Sequence, residues 1–253
     1  MMDNPQILLN PDYQKQAAEV VVKTNAEWSK KLNINQAARV TCVKPEGTAS
    51  LVLGSASGIH AHHAKRTFRR VQVNKLDPVY KHFKSINPHM IEESVWSANK
   101  TDDVIIFPIE VSDTAMVKND LDALKHLEII KATQQNWVKS GTTPVNQKGV
   151  THNVSCTVIV NTDEWDKVRN YLYENKNYFA AVSLLAHTGD KDFKQPPLEA
   201  VTTEEDEKLW TKIISDFKSV NYKNLKEEED QTTLQQELVC AGGQCELPIL
   251  SNQ

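Results

Sequence analysis

Apolar residues recur at helical spacing over residues 12–31, where Ala17, Val20, Val21, Ala26 and Trp28 predict an amphipathic helix. A short apolar run at 38–43 predicts a buried strand. Residues 67–73 alternate as a strand does, and 78–83 suit a short helix stopped by Asn87-Pro88. Val104-Ile105-Ile106-Phe107 is wholly apolar and predicts a buried strand, with Pro108 limiting its pairing. The clearest helical pattern covers 120–139. It carries Leu121, Leu124, Leu127, Ile130 and Trp137 on the repeat, and Gly141 and Pro144 end it. Over 153–160, Val154, Cys156, Val158 and Val160 alternate with Ser155, Thr157 and Ile159, the pattern of a further strand. Residues 163–173 predict a helix with Trp165, Val168 and Leu172 inward. Thr202 and Glu205 suit a capping box for a last helix reaching Phe217. Strands alternating with helices predict an α/β fold with at least partly parallel pairing.

From Lys223 the character changes. Lys226-Glu227-Glu228-Glu229-Asp230-Gln231-Thr232-Thr233 offers nothing to a core and reads either as a solvated tether or as a frayed terminal helix. The expected division is therefore 1–222 as a folded body and 223–253 as a tail. The 253 residues are 40% hydrophobic and 25% charged, an ordinary globular balance. A net charge of −4 argues against a surface for duplex nucleic acid. The start, Met1-Met2-Asp3-Asn4-Pro5-Gln6, has neither the basic flank nor the apolar stretch of a signal peptide, and no apolar run is long enough to span a membrane. A cytoplasmic protein with no membrane partner is expected.

Chemistry concentrates at two places. The first is Lys44-Pro45-Glu46-Gly47-Thr48-Ala49-Ser50, continuing to Ser57-Gly58-Ile59-His60. Small hydroxyl residues and glycine crowd the start of an element, where free backbone N–H groups suit a phosphate. The plainer reading is a strand-turn-helix junction with Thr48 or Ser50 as its N-cap. The second is the pair Cys240-x4-Cys245, with Gly242-Gly243 between the thiols. On the residues alone it can be a dithiol shuttle, two incidental thiols or part of a metal site lacking its other ligands. Cys42 and Cys156 lie in apolar runs and are expected to be inert core residues. His60, His62 and His63 are spaced for chelation, but structural or substrate-edge roles are expected, with no metal bound. Lys65, Arg66, Arg69 and Arg70 form a basic cluster, expected to be a solvated face from which one member can reach a phosphate.

Pro45-Glu46-Gly47-Thr48-Ala49-Ser50 with Ser57-Gly58-Ile59-His60 resembles the substrate-phosphate loop of adenosylcobalamin-dependent (class II) ribonucleotide reductases. The likeness continues through Arg69-Arg70-Val71-Gln72, Asn74-Lys75-Leu76-Asp77-Pro78-Val79, Asn153-Val154-Ser155-Cys156-Thr157-Val158, Lys194-Gln195-Pro196-Pro197-Leu198-Glu199 and Cys240-Ala241-Gly242-Gly243-Gln244-Cys245. It is closest to the monomeric ribonucleoside-triphosphate reductase type and covers only the C-terminal third or so of such an enzyme. The resemblance implies the later strands of a ten-stranded α/β barrel followed by a flexible tail. It implies that Glu46, Gly47, Thr48, Ala49 and Ser50 lie at the substrate triphosphate, through backbone N–H groups and the Thr48 and Ser50 hydroxyls, with no direct contact from the Glu46 carboxylate. It implies that Cys240 and Cys245 pass electrons from thioredoxin to an active-site disulfide. The radical cysteine, the general base and most of the adenosylcobalamin contacts then belong to an N-terminal reductase portion acting as partner. The rival expectation is a non-catalytic nucleotide-binding or dithiol-carrying protein derived from the same scaffold.

Overall fold

The computed structural model describes residues 1–146, 149–187, 193–223 and 225. After a single turn, α1 (Pro5–Leu8), the long helix α2 (Pro11–Leu32) begins at Asn10, whose side chain accepts from the amides of Asp12 and Tyr13. It ends at Asn33 in the left-handed conformation. There follow α3 (Thr48–Leu53), β1 (Arg66–Asn74) and α4 (Pro78–Ile86), the last capped by Asp77. Next come β2 (Ile91–Glu93), β3 (Asp102–Glu110) and α5 (Ala123–Thr133), which runs on through a π-helical turn, Gln134–Val138. The remaining described elements are β4 (Thr157–Val160), α6 (Trp165–Glu174), β5 (Ser183–Ala186), β6 (Leu198–Ala200) and α7 (Glu204–Asp216). The fold is mixed α/β. The described strands form one sheet of four and one of two, and neither closes into a barrel.

The chain divides into two units, Met1–Arg70 with Ile106–Ile214, and Val71–Ile105 with Ser215–Gln253. In the first, β4 and β5 pair in parallel, Thr157 opposite Ser183 through Val160 opposite Ala186. Thr67, Phe68 and Arg69 of β1 pair antiparallel with Ala200, Glu199 and Leu198 of β6. The core gathers Met2, Ile59, Leu127, Ile130, Val138, Val154, Val158, Val160 and Val168. In the second unit, Ile91, Glu92 and Glu93 pair antiparallel with Ile105, Val104 and Asp103. There α4 contributes buried Tyr80 and Phe83, and Lys84 and Lys75 reach the buried carboxylate of Asp103 at 2.8 and 3.3 Å. Tyr80 donates to the same carboxylate. Burial works to raise the Asp103 pKa, but the bonds from Lys84, Tyr80 and Lys75 outweigh it and hold the carboxyl below its ordinary range.

Several expectations change. Helix α2 buries Gln14, Ala18 and Ser29, while Val20 and Trp28 face solvent, because its apolar residues are spread around the helix and the neighbouring π turn takes the small, polar side. The predicted strand at 38–43 reduces to single bridges, Arg39 with Thr142 and Val43 with Val154. Thr41 and Val43 point inward, so the intervening Cys42 is exposed rather than in the core. The strand at 153–160 shortens to its second half because the Val154 amide donates to the side chain of Gln134 instead of to a neighbouring strand. Trp165 is 40% exposed, and Val168 is the fully buried residue of α6. The cap of α7 is shifted by one residue. The Asp206 amide donates to Thr203, and the Asp206 carboxylate accepts from the amides of Thr202 and Thr203.

Candidate functional site

The segment before α3 is held from below. Gly141 lies so close to Thr41 that a Cβ there would come 1.8 Å from the Thr41 hydroxyl, and that hydroxyl donates to the carbonyls of Trp137 and Val138. Trp137 Nε1 donates to the Cys42 carbonyl, and the Val43 amide donates to Asn153. The backbone thus arrives at Lys44-Pro45 on a fixed course. Helix α3 opens at Gly47, which has no side chain to cap the first turn. Neither Thr48 nor Ser50 is the N-cap. Ser50 is buried, and its hydroxyl donates to the Glu46 and Gly47 carbonyls, so its proton braces the loop from within. Residues 46–49 are exposed. The first amides of a helix have no intrahelical acceptor, so this turn presents N–H groups outward.

A second loop buttresses the first. Gly58 adopts φ +61°, and a Cβ there would meet the Lys44 carbonyl oxygen at 2.9 Å. The two halves of the motif singled out in the sequence therefore touch, backbone against backbone. The N-terminus locks this second loop: the Met1 amine donates to the Gly58 carbonyl, and Asp3 accepts from the Ala56 amide at 2.9 Å and pairs with His62 at 2.9 Å. Burial lowers the pKa of the Met1 amine, against a smaller opposing pull from Asp3. For Asp3, burial acts upward, yet the bonds from His62 and Ala56 prevail and hold it low.

His60, His62 and His126 are engaged by protein partners. His60 Nδ1 donates to the Ser57 carbonyl and Nε2 accepts from the Thr157 amide, which fixes the neutral Nδ1–H tautomer. His126 on α5 donates to the Ile59 carbonyl at 3.1 Å and meets the His60 ring edge-on. Burial pushes its pKa down, partly opposed by the Ile59 bond. Among the described residues no group of three His, Cys, Asp or Glu side chains is placed to hold a metal ion.

The basic cluster is solvent-accessible at Lys65 and Arg66, and each of its members also has a partner within the protein. Lys65 donates to the Ser112, Asp113 and Ala115 carbonyls, Arg66 pairs with Glu110 and Glu207, Arg69 donates to the Pro197 carbonyl, and Arg70 pairs with Glu199. These bonds hold β1 to β6 and α7 within the first unit. The Cys156 thiol is buried and its pKa is pushed up to about 11 by desolvation, which makes it a poor nucleophile. Cys240 and Cys245 lie outside the described residues.

No family model matches the chain. It is 24% identical over 252 residues to the adenosylcobalamin-dependent ribonucleoside-triphosphate reductase of Lactobacillus delbrueckii subsp. bulgaricus, covering 93% of this chain and 31% of that protein. The corresponding protein of Lactobacillus leichmannii is 25% identical with the same coverage, and that of Lactobacillus gasseri is 24% identical over 96% of this chain. The crystal structure of a B-12 dependent (class II) ribonucleotide reductase superposes with a TM-score of 0.65 over 82% of this chain and 29% of that one, at 23% identity. The chain is homologous to part of the class II ribonucleotide reductases. It spans about a third of the length of the reductases it matches.

Asp3, His126 and Thr157 hold the loop that carries Gly58 and His60, yet none of the three was picked out as part of the site. His126 had a signal, since it lies on the inward stripe of α5 with Ala123, Leu127 and Ile130. Asp3 and Thr157 had none, because their partners are 53 and 97 residues away.

Proposed function

We propose that this chain is the C-terminal portion of a cobalamin-dependent ribonucleoside-triphosphate reductase, with residues 1–222 contributing to its catalytic barrel and 223–253 forming a redox tail. The observation that carries the reading is the similarity to triphosphate reductases along 93% of the chain. The site geometry is compatible with it. An uncapped first turn at Gly47, Thr48 and Ala49, exposed and braced by Ser50 and Gly58, suits a triphosphate bound by main-chain N–H groups. Thr48 can add its hydroxyl, while Ser50 serves through its amide and its brace, and Glu46 directs no charge at the phosphate.

The overall reaction replaces the ribose 2′-hydroxyl by hydrogen and releases it as water, consuming two electrons and two protons from a dithiol that becomes a disulfide. Cys240 and Cys245 are assigned to restore that dithiol: a tail thiolate attacks the disulfide, and the second tail thiol resolves the mixed disulfide. Thioredoxin then reduces the tail. Cys42 and Cys156 take no part. For adenosylcobalamin, His60, His62 and His126 are not assigned as cobalt ligands. The ring nitrogens of His60 and the Nε2 atoms of His62 and His126 already have protein partners. Most contacts to the cofactor, along with the radical cysteine and the general base, are assigned to an N-terminal reductase portion.

The test mixes this chain with a class II N-terminal portion and measures adenosylcobalamin-dependent conversion of a ribonucleoside triphosphate to its deoxy form with dithiothreitol. Turnover in the mixture and in neither part alone is the expected result. Absence of turnover with both parts folded, together with retained nucleotide binding or thioredoxin-dependent cycling of the thiols, favours the non-catalytic carrier.

A further inference from the structure

Within the second unit, the segment that follows Asp216 is held against α4 at two points. Asn87 is fully buried; its Nδ2 donates to the Lys218 carbonyl at 2.9 Å and its Oδ1 accepts from the Lys218 amide at 2.8 Å. One side chain thus satisfies both backbone groups of one residue, as a neighbouring strand would. Five residues earlier in the chain, His82 Nε2 donates to the Asn221 carbonyl at 3.1 Å, and its ring meets Tyr222 edge-on, with centroids 5.8 Å apart. Asn221 in turn accepts from the Lys223 amide at 3.0 Å, and the Leu225 amide donates to the Tyr222 carbonyl. The side chains of Asn87 and His82 are spent on a stretch with no helix or strand of its own, immediately before the sequence that leads to the cysteine pair.

We propose that Asn87 and His82 are positioning residues that fix the root of the dithiol tail on α4. The proposal rests on the reading of Cys240 and Cys245 as a shuttle. Its consequence is one of length. With the chain held as far as Lys223, residues 224–239 separate the root from Cys240; released back to the end of α7, residues 217–239 do. The effective concentration of a tethered group falls as roughly the −3/2 power of tether length, so release lowers delivery of the dithiol by about twofold.

The test uses the full chain with its N-terminal reductase portion, driven either by thioredoxin or by dithiothreitol, which reaches the pocket without the tail. His82→Ala alone is the mild variant, and Asn87→Ala with His82→Ala the complete one. The complete variant is expected to lose about half of the thioredoxin-supported kcat and none of the dithiothreitol-supported rate. Deleting residues 226–232 in that variant restores the original spacing and is expected to restore the rate, which no merely structural role for Asn87 would do. Hydrogen exchange at 217–223 is expected to speed up in both variants while β4 keeps its protection. Unchanged exchange, no loss, equal loss with both reductants, or loss without rescue each overturns the proposal. No turnover by the unaltered chain with either reductant overturns the reductase reading itself, and the positioning role with it; turnover with equal rates in all variants overturns the positioning role alone.

Discussion

Two glycines of one motif do opposite things. At Gly58 the backbone is left-handed and a Cβ would press on Lys44, so Gly58→Ala is expected to cost about 1–3 kcal/mol in thermal or urea unfolding. At Gly47 φ is −71° and a Cβ meets nothing within 4 Å, so Gly47→Ala is expected to cost under about 1 kcal/mol. If the first turn of α3 receives phosphate, the methyl group intrudes on the ligand. The prediction is then a folded protein with weakened nucleotide binding, measured by calorimetry; unaltered binding would remove Gly47 from the site. His126 gives a pH signature. Its folded pKa lies below the ordinary value near 6.5, so between the two the unfolded chain binds more protons. Its contribution is complete above about pH 6.5 and is lost as pH falls through the folded value. His126→Gln is expected to flatten that part of a plot of unfolding free energy against pH.

At the scale of elements, the π turn that ends α5 organises the first unit. Gln134 is buried there; it donates to Thr151 and to the His152 carbonyl, and accepts from the Val154 amide. Gln134→Ala leaves buried backbone groups without partners and is expected to cost about 3 kcal/mol by urea denaturation. A cost below 1 kcal/mol would show that those groups find other partners. The same turn explains why the pattern at 153–160 promised more strand than is present. Alternation marks which residues face inward, but a side chain can stand in for the neighbouring strand. In α2 the apolar positions were legible and their orientation was not: the helix packs chiefly on the π turn, with Gln14, Ala18 and Ser29 buried and Val20 and Trp28 exposed.

At the scale of the molecule, some apolar side chains stay in contact with water. Leu51, Val52 and Leu53 on α3, and Leu184 and Leu185 on β5, are exposed. The redox prediction belongs here as well. Cys240→Ser with Cys245→Ser is expected to abolish thioredoxin-supported turnover in the complemented enzyme while dithiothreitol retains much of it. Equal loss with both reductants would mean that the pair is not a shuttle.

The sequence by itself determined the class of fold, the positions of most helices and the kinship with class II reductases, because apolar periodicity and short motifs are local properties of the chain. It also placed the turn at Glu46–Ser50 between an apolar run and the start of a new element. Only the tertiary structure decided which face each helix buries, that Cys42 is exposed, and that the basic cluster is bound within the first unit. It alone brought Asp3, Gly58, His60 and Thr157 around one loop. Those outcomes depend on contacts between residues tens of positions apart, and desolvation and hydrogen bonding act on the groups that meet, wherever they lie in the sequence.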